Sequence, residues 1–158
     1  NIVVDPSVFA PFDVANENIR VLKKHADSKN ITITNHIPEN ILCFADKNMI
    51  STVFRNLISN AIKFTLPAGK IDVSSIAQDS VWQFCISDNG IGMDDKTISK
   101  LFLITEKVQR NGTADEQGTG LGLILCKEFI EKNQGSIFVE SKSGDGCKFF
   151  FTVPKNPC

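Results

Sequence analysis

No apolar run in this chain approaches the roughly 20 residues that a membrane-spanning helix needs. The opening stretch, NIVVDPSVF, has neither the basic start nor the apolar centre of a signal peptide. It also lacks an initiator methionine, so the chain is expected to be a piece of a longer protein. Cysteine occurs without a pattern: Cys43, Cys85, Cys126, Cys147 and Cys158 are odd in number and no pair has CxxC spacing. This argues against a disulfide frame and a zinc site, and for reduced thiols in a cytosolic domain. The two histidines are isolated. A net charge of −1 gives no general reason to expect nucleic acid or an anionic membrane as partner. No GxxxxGK[ST] is present, which excludes a P-loop, and there is no internal repeat or linker.

What is present is an ordinary globular composition: 158 residues, 42% hydrophobic and 22% charged, read as one domain over 1–158. The chain is organised around Val53–Thr65, VFRNLISNAIKFT. At about 100° per residue, Asn56, Asn60 and Lys63 share an arc of roughly 60°. Ile50, Val53, Phe54, Leu57, Ile58 and Ala61 fill a broader arc built for burial. Two carboxamides and an ammonium in one seam suit a metal-bound polyphosphate. By themselves they better describe a solvated helix face, and it is the rest of the chain that overturns that reading.

Around this helix the patterns alternate. Asn1–Val4 reads as an edge strand ended by Asp5-Pro6. Pro11-Phe12-Asp13 reads as a helix start with Asp13 as cap, followed by a loose apolar stripe through Val14, Ile19, Leu22 and Ala26. Ile31 and Ile33 mark a strand that Pro38 ends, and Ile41–Ala45 a short buried one. Asp46 caps the central helix, and Pro67-Ala68-Gly69 terminates it. Lys70–Ala77 and Val81–Ser87 form a hairpin. Lys96–Ile104 has a short helical pattern. Thr105–Gln117 matches neither period and is read as a lid, expected to be poorly ordered without nucleotide for want of apolar anchors. A helix runs to about Asn133, and Ser136–Ser141 and Cys147–Val153 form a last hairpin. Antiparallel pairs interleaved with helices predict an α/β (α+β) two-layer sandwich: a mixed, mostly antiparallel sheet with helices on one face.

Two glycine motifs carry further chemistry. Asp88-x-Gly90-x-Gly92 follows an apolar strand, where a carboxylate at a pocket floor can accept from an exocyclic amino group such as that of adenine. Its glycines would let backbone approach a flat ring. Gly118-x-Gly120-x-Gly122 opens a helix, whose free N–H groups attract phosphate. A Rossmann fingerprint would follow its strand directly, whereas here a polar stretch precedes it. Thr119 could add a hydroxyl; Lys107 and Arg110 could reach phosphates or stand as solvated charge.

Together NLISNAIKFT, SDNGIGM and GTGLGLIL resemble the N, G1 and G2 boxes of the histidine-kinase catalytic and ATP-binding domain, in the superfamily shared with gyrase, the heat-shock chaperone ATPase and MutL. The resemblance extends over the whole chain, from Asp46 through KEFIEKNQGSIFVES to FFFTVP. It implies a Bergerat-type ATP-binding fold, with ATP and Mg²⁺ as cofactors. In that family pattern Asn60 would hold Mg²⁺, Asn56 would contact phosphate and Lys63 would reach the terminal phosphates, so that Asn56 and Lys63 stand nearest the chemistry. Phe64 would lie against adenine, Asp88 would accept from its amino group, and Gly90 and Gly92 would shape that pocket. Gly118, Thr119, Gly120, Leu121 and Gly122 would wrap the phosphates through main-chain N–H groups, with Gln117, Lys107 and Arg110 as further contacts.

Two departures from the family pattern matter. Only Phe102 remains of a phenylalanine pair usual between the second and third boxes. Where gyrase-type relatives carry a glutamate four residues before the metal asparagine, this chain has Asn56, and a carboxamide is no general base at neutral pH. The site should therefore hold ATP without rapidly hydrolysing it. Neither His25 nor His36 is followed by the acidic residue of the family's phosphorylated histidine. The resemblance thus implies a two-component sensor histidine kinase, bacterial, whose acceptor lies on an upstream dimerisation domain. The implied partners are that domain and a response regulator or receiver domain, with no nucleic acid and no direct membrane contact. The domain would be cytoplasmic, whether or not its parent is anchored in the inner membrane. The alternatives are an anti-sigma-type serine kinase on the same fold and a degenerate nucleotide-binding or interaction module.

Overall fold

The computed structural model of the chain describes residues 2–102, 110–111, 117–118 and 121–157. In chain order the elements are β1 (Ser7–Phe9), α1 (Pro11–Asp27), β2 (Thr32–Asn35), β3 (Cys43–Ala45), α2 (Lys47–Phe64), β4 (Lys70–Gln78), β5 (Val81–Asp88), α3 (Asp95–Lys100), β6 (Arg110–Asn111), β7 (Gln117–Gly118), α4 (Leu121–Lys132), β8 (Ile137–Ser141) and β9 (Cys147–Pro154).

Alternation along the strands sets the sheet. Ile71 and Val73 of β4, Phe84 and Ile86 of β5, and Phe149, Phe151 and Val153 of β9 all turn to one side and are buried. They meet the apolar stripe of α2, whose Ile50, Val53, Phe54, Leu57, Ile58, Ala61 and Ile62 are all buried. Phe54 joins the two layers, with its ring 5.6 Å from Phe84 and 5.1 Å from Phe151 in edge-on contact. The helices α1 and α4 flank α2. The five-stranded sheet has the order β2-β4-β5-β9-β8, parallel between β2 and β4 and antiparallel elsewhere. Its opposite face carries the stacked pair Phe138 and Phe150 among exposed Lys148 and Glu140. The expected two-layer sandwich is the observed one. Among the described residues no helix is long and apolar enough to cross a membrane.

Four local expectations are corrected. The first strand is Ser7–Phe9 rather than Asn1–Val4, because its partner Cys43–Ala45 pairs with residues beyond Pro6. Asp13 does not cap α1: the N-cap is Ala10, with no side-chain bond, Pro11 opens the helix and Asp13 sits inside its first turn. The neighbouring strands β2 and β3 do not pair with each other; β3 joins β1 in a separate ribbon and β2 joins β4. Finally, α3 stops at Lys100 and is followed by a turn at Leu101–Phe102. Most of the segment Thr105–Gln117, expected to be a poorly ordered lid, lies outside the described residues; of the described ones, Arg110–Asn111 pair antiparallel with Gln117–Gly118.

Asp46 ties three elements together. Its Oδ1 accepts from the Met49 N–H at the start of α2 and its Oδ2 from the Asp5 N–H, while its own N–H donates to Asn133 Oδ1 at the end of α4. Replacing it in Asp46→Ala strands the Met49 N–H at the buried start of α2 and removes the tie to the Asp5 N–H. The expected loss is about 1–2 kcal/mol of unfolding free energy in urea titration.

Candidate functional site

The end of α2 and the end of β5 are brought together by one main-chain contact. Thr65 leaves the helical region, with ψ 138, so α2 stops there. The carbonyl of Phe64 then accepts from the N–H of Ile91, in the turn that follows β5 (3.1 Å). Thr65 keeps the last turn closed by donating its hydroxyl to the Ala61 carbonyl.

Asp88 is the last residue of β5, the middle strand of the sheet, and is 9% exposed. Its Oδ1 accepts from the Gly90 N–H at 2.8 Å, and the Cys147 N–H on β9 also donates to the carboxyl. Burial raises its pKa from 3.8 to about 6, and the two N–H groups pull against that rise. A carboxylate has about four acceptor positions, so two backbone donors leave it able to take an amino group. It borders a cleft of about 770 Å³ lined also by Ile98, Val139 and Ser141.

The glycines of this turn meet a need that the sequence reading did not identify. A methyl group on Gly90 would stand 2.1 Å from the Phe64 carbonyl oxygen. On Gly92, which has φ +68, it would stand 2.0 Å from the carbonyl oxygen of Lys142. The missing side chains make room for the protein's own backbone, which locks the acidic turn between α2 and the β8–β9 hairpin. Gly146, read from the sequence only as part of that hairpin, has φ +78 and lies against the Asp88 carbonyl. It and Cys147 are the supports of Asp88 that the sequence reading missed. The Gly-Asp-Gly run 144–146 was the available signal.

Along α2, Asn56, Asn60, Lys63 and Phe64 are each half-buried, unlike the fully buried stripe beside them. Asn56 lies under the start of α4. Its carboxamide is hydrogen-bonded to the Cys126 thiol, and a methyl group on Gly122 would come within 3.2 Å of its Oδ1. The first and third motifs therefore touch. Burial pushes the Cys126 thiol up to about 12, so this partner is neutral. Gln117, Gly118 and Arg110 belong to the β6–β7 ribbon, and Leu121 opens α4. Lys107, Thr119 and Gly120 lie outside the described residues. Among the described residues no cluster of three His, Cys, Asp or Glu could hold a metal ion. Along α2 the carboxamide oxygens suit a cation that arrives with phosphate oxygens around it, and the Lys63 ammonium suits those phosphate oxygens.

Two predictions follow from Asp88. Asp88→Asn should weaken binding of an adenine nucleotide by about 1–3 kcal/mol in calorimetry, through loss of a charge-assisted hydrogen bond. The second prediction concerns pH. The ionised carboxylate is the acceptor, so the advantage of the wild type over Asp88→Asn should shrink as pH falls through about 6. Stability moves the other way. Because folding raises this pKa, the cost of burying the charge is full above about 6 and is relieved as pH falls toward 3.8. Urea titrations of the empty protein at several pH values, with Asp88→Asn as reference, read that change.

Comparison with known proteins agrees with this geometry. Residues 45–157 match the family model of histidine kinase-, DNA gyrase B- and HSP90-like ATPases. Phytochrome-like protein Cph1 of Synechocystis is 43% identical over 112 residues, covering 70% of this chain and 15% of Cph1. Adaptive-response sensory kinase SasA, from the same organism, is 35% identical over 144 residues, covering 90% of this chain and 37% of SasA. The chain thus spans well under half the length of these relatives. The solved catalytic domain of histidine kinase ThkA superposes with a TM-score of 0.82 at 26% identity, covering 96% of each chain. ThkA has also been solved in complex with the response regulator protein TrrA; that kinase chain matches with a TM-score of 0.78 at 23% identity, over 98% of this chain and 43% of ThkA. Fold, motif contacts and sequence kinship agree: this chain belongs to the histidine kinase-, DNA gyrase B- and HSP90-like ATPase family.

Proposed function

We propose that residues 1–158 are the Mg·ATP-binding catalytic domain of a two-component sensor histidine kinase, which passes the γ-phosphoryl group of ATP to a histidine on an upstream dimerisation domain. The observation that carries this reading is the contact of Asn56 with the start of α4, on the same helix whose last carbonyl holds the Asp88 turn. A ligand held between the middle of that helix and its C-terminal end would be polar where it meets Asn56 and flat where it meets the Asp88 turn. Asp88 would hold the base through its amino group, with Phe64 beside it. Asn56 and Lys63 would hold phosphate oxygens, and Asn60 would offer its side-chain oxygen to the metal. The main-chain N–H groups of Gly118–Gly122 would complete the phosphate cradle, with Lys107, Arg110 and Gln117 as further contacts. Magnesium, when bound, neutralises phosphate charge.

Asn56 also bears on the fate of the phosphoryl group. No carboxylate stands at that position of α2 to activate water, so the residues position the triphosphate and leave the nucleophile to come from elsewhere. Close relatives that are sensory kinases, and the complex of ThkA with a response regulator, support a histidine as acceptor and a response regulator as the next partner. A cytoplasmic setting belongs to the same proposal.

The test is to mix the chain with a separately produced dimerisation hairpin bearing the acceptor histidine, and with γ-labelled ATP. Acid-labile, alkali-stable label on the hairpin is the expected result. Acid-stable label on a serine would favour the serine-kinase alternative. Absence of Mg·ATP binding in calorimetry would favour a degenerate module.

A further inference from the structure

An α-helix leaves its last four carbonyls without partners inside the helix. In α2 these belong to Ala61, Ile62, Lys63 and Phe64, and each one is taken. Thr65 donates to the first and Ile91 to the last. The middle two are both taken by one side chain from outside the helix: Nζ of Lys29 donates to the Ile62 carbonyl at 2.8 Å and to the Lys63 carbonyl at 3.1 Å. Lys29 is 6% exposed. Burying an ammonium is costly unless it is well compensated, and the negative end of a helix dipole supplies compensation. The residue is itself anchored, because its carbonyl accepts from the Ala68 N–H and its N–H donates to Ala26. Asn30 beside it, with φ 55, makes the turn out of α1.

We propose that Lys29 is a positioning residue for nucleotide binding. It sets where the last turn of α2 ends, and through that turn the direction of Lys63 and Phe64. Because the Phe64 carbonyl receives Ile91, it also sets the height of the Asp88–Gly92 turn against the helix. A group far from the motifs in sequence thereby registers the base-binding turn against the phosphate-binding helix. This inference rests on the ATP-binding reading of the site. Failure of the wild type to bind nucleotide would sink that reading, whereas unaltered binding in the variants below would sink only the role of Lys29.

The experiment measures the Kd of a non-hydrolysable Mg·ATP analogue on the full chain, together with hydrogen exchange of the Ile91 amide, well below the melting temperature of each variant. Lys29→Met is expected to weaken binding about tenfold or more, the scale for losing a group that orients a binding residue. It should also speed exchange at Ile91 ahead of the core amides. Lys29→Arg, which keeps charge and donors, should recover much of both. Asp46→Ala is the control. It destabilises the same helix from its other end and should leave Kd unchanged, with exchange at Ile91 sped no more than that of the core amides. Wild-type affinity in folded Lys29→Met, or an equal loss in Asp46→Ala, overturns the proposal by reducing Lys29 to general support of the helix. Should Lys29→Met fail to fold, Lys29→Gln, neutral and one bond shorter, carries the same comparison, and wild-type affinity there overturns it equally.

Discussion

The hydrogen bond from Ile91 to the Phe64 carbonyl is the joint on which the site depends. It is short-range in space and spans 27 positions of sequence, joining the polar helix to the acidic turn. Its formation needs three things at once. The helix must stop at Phe64, which the extended conformation of Thr65 ensures. The turn must come within main-chain distance, which only a glycine at position 90 permits. And β5 must deliver the turn at the right height, which its pairing with β4 and β9 over eight residues each decides. Loss of any one separates the carboxylate from the helix.

The buried carboxylate is the counterpart of that joint. A side chain that prefers water is held at the end of the central strand, partly supported by the Gly90 and Cys147 N–H groups. The aromatic contacts of Phe54, Phe84 and Phe151 beneath it belong to the same sheet and helix, so the apolar core and the charged floor share a scaffold. Stability and ligand recognition make opposite demands on Asp88, because neutralising it relieves burial while removing the acceptor. A site of this kind relies on packing elsewhere to offset its cost.

Much of this was legible in the residue pattern. The stripe of Ile50, Val53, Phe54, Leu57, Ile58 and Ala61 named the buried side of α2, and the half-buried Asn56, Asn60 and Lys63 fall on its seam. Asp46 was legible as a cap because an aspartate before a helical period has a local job with a local partner, Met49. Asp13 looked the same and is not a cap, since Pro11 already opens that helix. The pairing of β2 with β4, rather than with its neighbour β3, was not legible. Strand partners are chosen by which edges the helices leave available, and short segments with similar alternation do not encode that choice. Gly146 was likewise hidden, because its importance lies in the Asp88 carbonyl opposite, a residue 58 positions away.

The amino-acid order by itself determined the local chemistry: which helix face buries, where helices begin and end at strong signals, and which side chains can accept an amino group or meet phosphate. These follow from periods of 3.6 and 2 and from side-chain valence, which need no knowledge of distant chain. Tertiary structure alone decided why the glycines are glycines, that Asn56 meets the start of α4, and that a lysine from the end of α1 closes the helix that carries the site. Each of those is a contact between segments whose separation in sequence carries no information about their distance in space, and only the packed sheet and helices bring them within reach.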